Sequence, residues 1–323
     1  MNNNVIMSRV LIIGAGQIGS RHLQGVKLAQ HPLDIWVCDV NKESLRIAEE
    51  RYNQVTSSVA HQVHFVTDMD KVPFDIDVAI IATGSKPRAH IVKYLLQTHN
   101  VFYMVLEKFL FPRIVEYDEI ENLIAEHGVK TYVNCVRRMW EMYDFIKQHL
   151  DPNYPVKMAH YGGDWGLCCN SIHYIDIFMY LTNSTEYQLN IDGLIPEISP
   201  SKREGYIELM GKEFITVSNG CQLALEADPT YTGTSADIID NGPTHFIINE
   251  SKGQVQINDK EYEIPVLYQS ALSGKLVDEL LANGTCALTT YSESAKYHKI
   301  FLAHLLPFVN DITGMDSDTC PIT

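Results

Sequence analysis

The sequence lacks the features of a membrane protein, a zinc-finger protein or a nucleic-acid-binding protein. It has 323 residues and no apolar run near the roughly 18 residues that a membrane-spanning helix needs. Its 7 cysteines include no CxxC pair, the usual spacing of a structural zinc site. Basic residues are few, with 25 Lys and Arg against 40 Asp and Glu, and the formal net charge of −15 disfavours general contact with nucleic acid or anionic membranes. We therefore expect no metal, no nucleic-acid partner and no membrane.

A secretory signal and a disulfide framework are also missing. The residues up to Met7 lack the charged start and the apolar stretch of a signal peptide. The cysteines are scattered along the chain, and only Cys168 and Cys169 are adjacent. Scattered thiols in a large chain are typical of proteins from a reducing compartment. The sequence thus predicts a cytoplasmic protein with reduced cysteines.

The composition is that of a globular protein, with 46% hydrophobic and 20% charged residues, and a chain of this length usually divides into two domains. Apolar runs in the first part have the length of strands that are buried on both faces: residues 10–13, 35–38, 78–82, 102–106 and 131–135. Stretches of helical length and polarity separate them: residues 19–30, 42–53, 87–98 and 114–127. This alternation predicts an α/β fold with a doubly wound parallel sheet.

The pattern changes after about residue 150, where shorter strand-like segments replace the regular alternation. These segments are residues 156–161, 205–210, 214–218, 221–227, 245–249, 253–257 and 261–264. Asn219-Gly220 and Asn258-Asp259 stand where hairpin turns are needed. Helices are predicted at residues 168–181, 267–283 and 294–308. We expect an α+β domain with a large, mostly antiparallel, open sheet.

The strongest local motif follows the first apolar run. Gly14, Gly16 and Gly19 have the GxGxxG spacing at the junction of a strand and a helix, the context in which this spacing binds a dinucleotide. The first glycine permits the tight turn, the second lets the backbone approach a diphosphate, and the third lets the helix pack on the strand. Gln17 and Ile18 lie in the first helical turn, which faces the anion.

Asp39 ends the second predicted strand, 20 residues after Gly19. An acidic side chain at this position accepts hydrogen bonds from a ribose diol and repels the 2′-phosphate of NADP. The next residues, Val40 and Asn41, offer no arginine to that phosphate, although Lys42 is near. The sequence therefore favours NAD over NADP.

Several segments together resemble the Gfo/Idh/MocA family, which includes glucose-fructose oxidoreductase and inositol dehydrogenase. In chain order they are residues 14–22, 82–90, 107–108, 136–139 and 170–176. The remaining residues match the family only in their general pattern of strand-like and helical segments. The resemblance implies an NAD(P)-binding Rossmann domain of residues 1–135, followed by a substrate-binding and oligomerisation domain of residues 136–323.

The resemblance assigns cofactor contacts to residues beyond the glycine motif: Ala82, Thr83, His90, Glu107 and Lys108. It also places Lys108 beside the nicotinamide and the reacting hydroxyl, as a catalytic and substrate-binding residue. Lys108 follows an apolar strand, and ligands of doubly wound sheets bind outside the carboxyl ends of strands. A lysine shifts its pKa readily in a confined site, which suits proton transfer. The family usually has Pro after this Lys, and Phe109 stands here instead.

A second catalytic candidate is His173. On a helix, Asn170, His173 and Asp176 fall on one face because they are spaced by three. His173 would be the general acid or base, and Asn170 would bind a substrate hydroxyl. Asp176 would fix the tautomer of His173 or, as the alternative, cap a packing contact, and a structural role is the alternative for His173 itself. The family commonly has Asp where Cys169 stands, and a thiol is a weaker hydrogen-bond partner for the substrate.

Two arginines and a tryptophan complete the substrate-binding candidates. Arg137 or Arg138 could hold a carboxylate or diphosphate in bidentate geometry, and an interdomain salt bridge is the alternative. Trp165, like Trp140, could stack on a sugar ring, with packing in the core as the alternative.

The predicted activity is NAD-dependent hydride transfer at a sugar carbon, with Lys108 and His173 in proton transfer. The paired arginines favour a nucleotide-activated or acidic sugar. One alternative is a non-catalytic dinucleotide-binding sensor or assembly protein, which Cys169 and Phe109 favour. Another is an oxidoreductase on a non-sugar, such as a linear tetrapyrrole or an amino-acid derivative. The resemblance also implies a homodimer or homotetramer that buries the open sheet.

Overall fold

The computed structural model describes residues 7–323 and contains the following elements. The strands are β1 (Ser8–Ile13), β2 (Leu33–Cys38), β3 (Gln62–Val66), β4 (Asp75–Ile81), β5 (Asn100–Leu106), β6 (Lys130–Val133), β7 (Lys157–Gly162), β8 (Gln188–Leu194), β9 (Ser199–Pro200), β10 (Ile207–Glu208), β11 (Gly211–Thr216), β12 (Gln222–Ala227), β13 (Ala236–Asn241), β14 (Thr244–Asn249), β15 (Gln254–Ile257), β16 (Lys260–Glu263) and β17 (Thr289–Thr290). The helices are α1 (Gln17–Val26), α2 (Lys42–Asn53), α3 (Ser85–Thr98), α4 (Ile114–His127), α5 (Glu141–Gln148), α6 (Leu167–Thr182), α7 (Gln269–Asn283) and α8 (Tyr291–Thr313).

The chain divides into two compact units that interleave along the sequence. The first unit takes the chain up to Glu107, together with Asp118–Asn134 and Leu267–Tyr291. The second unit consists of Lys108–Tyr117, Cys135–Val266 and Ser292–Thr323. Within residues 7–323, no helix combines the length and the apolar character that crossing a bilayer requires.

The first unit is built on a seven-stranded sheet in the order β17, β6, β5, β4, β1, β2, β3. Every pairing is parallel except that of β17 with β6. Val10, Leu11 and Ile12 of β1 are fully buried, as expected for a central strand with both faces covered. The strand order reverses between β1 and β4, and doubly wound sheets bind their ligands at such a point. The predicted doubly wound α/β unit is confirmed.

A close contact between two helices explains why α7 belongs to the first unit. A Cβ added at Gly25 of α1 would lie 2.6 Å from the Gln269 carbonyl oxygen, and one at Gly274 would lie 2.6 Å from the Gly25 carbonyl oxygen. Two glycines thus let α1 and α7 approach backbone to backbone. The division predicted at residue 135 treats each domain as continuous, whereas this unit also takes residues from the later part of the chain.

The second unit contains an eight-stranded sheet in the order β16, β15, β14, β13, β7, β12, β11, β8. Only the pairing of β7 with β12 is parallel, so the predicted mostly antiparallel sheet is confirmed. The predicted hairpin turns join β11 to β12 and β15 to β16, with Gly220 and Asn258 at positive φ. Helix α6 packs on β12. Strands β9 and β10 form a separate two-stranded hairpin.

Candidate cofactor and substrate sites

The glycine turn of the first unit is tightly packed at two of its three glycines. Gly14 has φ of 95°, and its N–H donates to the Cys38 carbonyl oxygen at 2.9 Å. A Cβ at Gly19 would lie 1.8 Å from the Gly14 carbonyl oxygen and 3.3 Å from Cβ of Ala82. Any side chain at residue 19 would therefore push the turn away from α1. Ala82 is buried against this turn and donates its N–H to Ile13.

The backbone at Gly16 is open. A Cβ there would meet no atom within 4 Å. Gly16 is the N-cap of α1, and no side chain caps the N–H groups of the first turn. Gln17 and Ile18 follow in the first turn, and Arg51 donates to the Gln17 side chain at 2.9 Å. A helix N-terminus with free space at a glycine suits a bound diphosphate, because unpaired N–H groups and the helix dipole favour an anion.

Asp39 contacts the glycine turn and also lines a cavity. Its carboxylate accepts from the N–H of Ala15 at 2.7 Å and from the N–H of Asn41 at 2.8 Å, so it fixes the glycine turn from the end of β2. The same side chain lines a cavity of about 530 Å³. Each carboxylate oxygen keeps a lone pair for a ribose hydroxyl.

The walls of this cavity come from the ends of β1, β2 and β4 and from α3, and they include Thr83 and His90. The hydroxyl oxygen of Thr83 is buried and has no hydrogen-bond partner among the described residues. A buried polar atom of this kind calls for a partner supplied by a ligand or water. The open Gly16, the acidic Asp39 and the unpaired Thr83 hydroxyl fit a nicotinamide dinucleotide.

Glu107 is the centre of a buried hydrogen-bond network in the first unit. His22 donates from Nε2 to its carboxylate at 2.8 Å, and Asn134 donates at 2.5 Å. Gln269 accepts from Asn134 at 2.8 Å and donates to Nδ1 of His22 at 3.1 Å. Burial alone would raise the pKa of Glu107, but the hydrogen bonds from His22 and Asn134 outweigh it, so the pKa is lowered. The carboxylate is thus held ionised and is fixed in position by the side chains of His22 and Asn134, which Gln269 contacts in turn.

Lys108 begins the second unit. The Lys108–Phe109 peptide bond is cis, and Phe109 is fully buried against His298 and Phe301. Nζ of Lys108 donates to the Cys169 carbonyl oxygen at 2.7 Å. The side chain lines a cavity of about 160 Å³, which the predicted residues Trp165, Cys169 and Asn170 also line. The structure therefore brings together four of the predicted substrate-binding residues.

The first turn of α6 orders this cavity. Glu208 of β10 accepts from the N–H of Cys168 at 3.0 Å and from that of Cys169 at 3.1 Å. Burial, together with the charge of Glu208, raises the pKa of the Cys169 thiol to about 11, so the thiol is neutral at pH 7. Asn170 donates to the carbonyl oxygens of Trp165 and Gly166 at 2.8 and 3.0 Å. Trp165 in turn donates to the Glu226 carbonyl oxygen at 2.9 Å.

His173 lies one turn further along α6 and is not among the residues that line this cavity. Its Nδ1 is buried without a hydrogen-bond partner among the described residues. Burial lowers the pKa of His173 well below its usual value, and the positive charges of Lys108 and Arg137 lower it further. The imidazole is therefore neutral at physiological pH and can accept a proton.

Asp176 and the two arginines have partners that differ from the predicted ones. Asp176 accepts from Nε of Arg138 at 2.9 Å instead of binding Nδ1 of His173. Arg138 also contacts Glu293 at 3.3 Å. Arg137 forms a bidentate pair with Glu250, at 2.6 and 2.8 Å. These pairs lie within the second unit, and each one engages a guanidinium that the prediction assigned to substrate.

Sequence reasoning missed four charged residues of the Lys108 cavity, one of which is Asp164, next to Trp165. Lys202, Arg203 and Glu208 lie on or beside the β9–β10 hairpin, and all three line the cavity. The adjacent Lys and Arg in an acidic chain were the available signal. No group of three or more His, Cys, Asp or Glu side chains within residues 7–323 could hold a metal ion.

Known proteins are similar to this chain in two ways: a family model matches the first unit, and solved structures share the fold. Residues 8–135 match the Gfo/Idh/MocA model, described as an oxidoreductase family with an NAD-binding Rossmann fold. No curated protein matches the chain by sequence. An oxidoreductase from Agrobacterium radiobacter, solved with NAD+, L-tartaric acid and magnesium, has TM-score 0.69 and 12% identity, covering 95% of this chain and 99% of its own.

Two further solved structures are similar over nearly the whole chain. UDP-N-acetylglucosamine 3-dehydrogenase from Acidithiobacillus ferrooxidans has TM-score 0.66 and 15% identity, covering 94% of this chain and 97% of its own. Scyllo-inositol dehydrogenase from Lactobacillus casei has TM-score 0.64 and 17% identity, covering 92% and 94%. Likeness at this identity concerns the fold. Residues 8–135 match the NAD-binding Rossmann unit of the Gfo/Idh/MocA oxidoreductases, and the chain is an NAD(P)-dependent oxidoreductase.

Proposed function

We propose that the protein oxidises a hydroxyl carbon, or reduces the matching keto carbon, of a sugar or sugar derivative with NAD as its cofactor. The observation that carries this proposal is the position of Lys108, whose ammonium lines a small polar cavity together with Asn170 and Trp165. Lysine, amide and indole groups are suited to bind a polyhydroxylated ring. Two solved structures with this fold are named as dehydrogenases of a nucleotide sugar and of an inositol.

The cofactor half of the proposal rests on the first unit. Gly14, Gly16 and Gly19 would hold the diphosphate at the start of α1, and Asp39 would accept hydrogen bonds from the adenosine ribose. Thr83 and His90 would line the same cavity. When bound, NAD supplies the hydride acceptor at C4 of its nicotinamide. Asp39 favours NAD because it would repel the 2′-phosphate of NADP.

The proton half of the proposal rests on the second unit. Lys108 would donate a hydrogen bond to the reacting oxygen and stabilise the negative charge that develops on it. His173 would accept the hydroxyl proton at its neutral imidazole, although the burial and neighbouring cations that keep it neutral also weaken it as a base. Asn170 would orient a neighbouring hydroxyl. We assign Asp176, Arg137 and Arg138 to the support of α6 and its surroundings, because their partners lie within the unit.

The test is turnover of a Lys108→Met variant on a panel of sugars, inositols and nucleotide sugars, followed by NADH fluorescence. We expect kcat to fall roughly 100-fold or more while NADH affinity stays unchanged. Lys157→Met changes an exposed lysine of the same unit and serves as the matched control. Equal turnover in Lys108→Met and in the control would contradict the assignment of Lys108.

The same panel separates the alternatives. Wild-type protein that binds NADH but turns over no sugar or inositol would favour the sensor, or a substrate outside the sugars. The sensor has one structural observation in its favour, which is the neutral thiol of Cys169 beside Lys108. Linear tetrapyrroles and amino-acid derivatives would then be the next compounds to screen.

We also propose that the protein self-associates through the outer face of the eight-stranded sheet. Phe214 and Ile247 alternate with buried neighbours on β11 and β14, and each is 40% exposed. Apolar side chains at exposed sheet positions favour burial against a second sheet. Sedimentation would show a dimer or tetramer, and a monomer at micromolar concentration would contradict this proposal. We also place the protein in the cytoplasm, because its seven cysteines form no disulfide with one another; cell fractionation, with the protein detected in each fraction, would test this.

A further inference from the structure

The Lys108 cavity has an unusual charge balance for so acidic a chain. Three cations line it, namely Lys108, Lys202 and Arg203, against the two acidic residues Asp164 and Glu208. Glu208 is buried and already accepts from two backbone N–H groups of α6. With Glu208 engaged in this way, the three cations face one exposed carboxylate, that of Asp164, so the cavity wall carries a net positive charge although the whole chain carries −15.

Among residues 7–323, neither of the two hairpin cations has a carboxylate partner. Arg203 donates to the hydroxyl of Thr323 at 3.2 Å and forms no ion pair, and Lys202 makes neither a hydrogen bond nor an ion pair within the described residues. Arg46, Arg113, Arg137 and Arg138 are by contrast each paired with a carboxylate. Unpaired cations at the mouth of a cavity attract anions, because the field of like charges adds up there.

The hairpin that carries these cations is held in place. The N–H of Ile207 donates to the Pro321 carbonyl oxygen at 2.8 Å, and the N–H of Cys320 donates to Pro112 at 2.9 Å. Cys320, Ile322 and Thr323 are buried, with at most 3% exposure. Lys202 and Arg203 therefore project from an anchored loop, which reduces the entropy that would be lost when they bind a ligand.

A second cavity of the same unit gives the contrast. It has a volume of about 520 Å³ and is lined by residues such as Asn183, Glu186 and Asn219, but no Lys or Arg lines it. Cations are thus concentrated at the smaller cavity, where Lys108 lies. Arginine and lysine together are suited to phosphate or carboxylate, because one gives a planar fork and the other a point charge.

We propose that Lys202 and Arg203 form a subsite for an anionic group, a phosphate or a carboxylate, carried by the substrate that reacts beside Lys108. This inference rests on the proposed function and deepens it, since it replaces the arginine pair of the sequence prediction with a different pair of cations. The substrate is then a phosphorylated, nucleotide-activated or acidic sugar.

The test is calorimetry on protein that is first saturated with NADH, so that added anions cannot occupy the glycine turn. The probes are inorganic phosphate, uridine diphosphate and glucuronate, with glucose as the neutral control. Lys202→Gln/Arg203→Gln is compared with the wild type and with Lys252→Gln/Lys260→Gln, which removes two exposed lysines of the same unit. The single variant Lys202→Gln removes no hydrogen bond, so it should fold and can be tested even if the double variant does not fold.

We expect at least one anionic probe to bind the wild type and the lysine control, with affinity falling as salt rises. The Lys202→Gln/Arg203→Gln protein should bind it roughly tenfold more weakly or worse, and Lys202→Gln should give a smaller loss. The best probe identifies the group as diphosphate, monophosphate or carboxylate. Equal affinity in all proteins, or no anion binding to the NADH-loaded wild type, would overturn the subsite. Failure of NADH itself to bind would instead count against the proposed function.

Discussion

The two units differ in how their local sequence relates to their candidate binding sites. In the first unit, one continuous segment from Gly14 to Gly19 supplies the turn, and Asp39 lies at the end of the neighbouring strand. In the second unit, the cavity is assembled from Lys108, the start of α6 and the β9–β10 hairpin, which are far apart in sequence. A motif read along the chain therefore finds the first site and finds only part of the second.

The charged residues show the same difference. Asp39 lies at the cavity where the motif predicts it, whereas Arg137, Arg138 and Asp176 are engaged in ion pairs. Short polar segments next to a predicted site thus carry less information than a motif whose backbone geometry requires specific residues. The loss of stability expected when one of these residues is substituted follows from the atoms that the residue contacts.

The largest effect should come from Gly19→Ala, which tests the packing of the first unit. Its Cβ would lie 1.8 Å from the Gly14 carbonyl oxygen, so the turn and α1 must separate. We expect a loss of about 4 kcal/mol or more in the free energy of unfolding, measured by denaturant titration. Gly16→Ala meets no atom within 4 Å and should unfold like the wild type. Equal stability of both variants would contradict the turn as described.

Asp176→Asn should have the next largest effect, and it tests whether Asp176 is structural or catalytic. The side chains of Arg138 and Asp176 are 10% and 1% exposed, and removing one charge leaves the other buried. We expect a loss of about 3 kcal/mol in stability, with kcat of the folded protein unchanged. Glu293→Gln, whose side chain is 35% exposed, should cost about 1 kcal/mol or less. A loss of kcat at unchanged stability would mean that Asp176 is catalytic, as the sequence predicts, and not structural.

Glu213→Gln should have the smallest effect, and it appears in the pH dependence of stability. Burial raises the pKa of Glu213 to about 8, and its side chain lies 2.5 Å from the hydroxyl of Ser171. The Ser171 hydroxyl has one proton, which it can donate to the Leu167 carbonyl oxygen at 2.7 Å. Its oxygen can then accept a hydrogen bond from a protonated Glu213. The folded protein thus binds an extra proton between about pH 5 and 8, and its stability falls as pH rises through this window.

In Glu213→Gln the free energy of unfolding should fall less between about pH 5 and 8 than in the wild type, by about 1 kcal/mol or more. Thermal unfolding at a series of pH values measures it. Glu263→Gln, which changes an exposed residue of β16, should keep the wild-type slope. A slope in Glu213→Gln that matches the wild type would mean that Glu213 is ionised in the folded state.

The elements that sequence predicts well are those with strong periodicity. Helices α2 and α4 begin and end at the predicted residues, because their polar and apolar positions alternate with the helical period. Strands β8 and β13 were missed, since their Asn and Asp residues are disfavoured in strands and only sheet pairing stabilises them there. Strand β3 has no fully buried residue and gave no apolar run.

The site follows the same rule. Lys108 was predicted from the family resemblance together with its place two residues after the buried strand β5. Lys202 and Arg203 stand next to strands of two residues, which have no periodicity to detect. The placement of α7 in the first unit depends on the contact between Gly25 and Gly274, residues that are distant in sequence. Neither feature is encoded within one window of the chain.

The most direct test of the account is titration of the wild type and Gly16→Ala with NADH and NADPH, followed by fluorescence. The account predicts that the wild type binds NADH more tightly than NADPH, because Asp39 lies in the cavity. It also predicts that Gly16→Ala, although folded, binds NADH at least tenfold more weakly, since the added methyl occupies the space left for the diphosphate. Equal NADH affinity in the two proteins, or no binding by either, would contradict it.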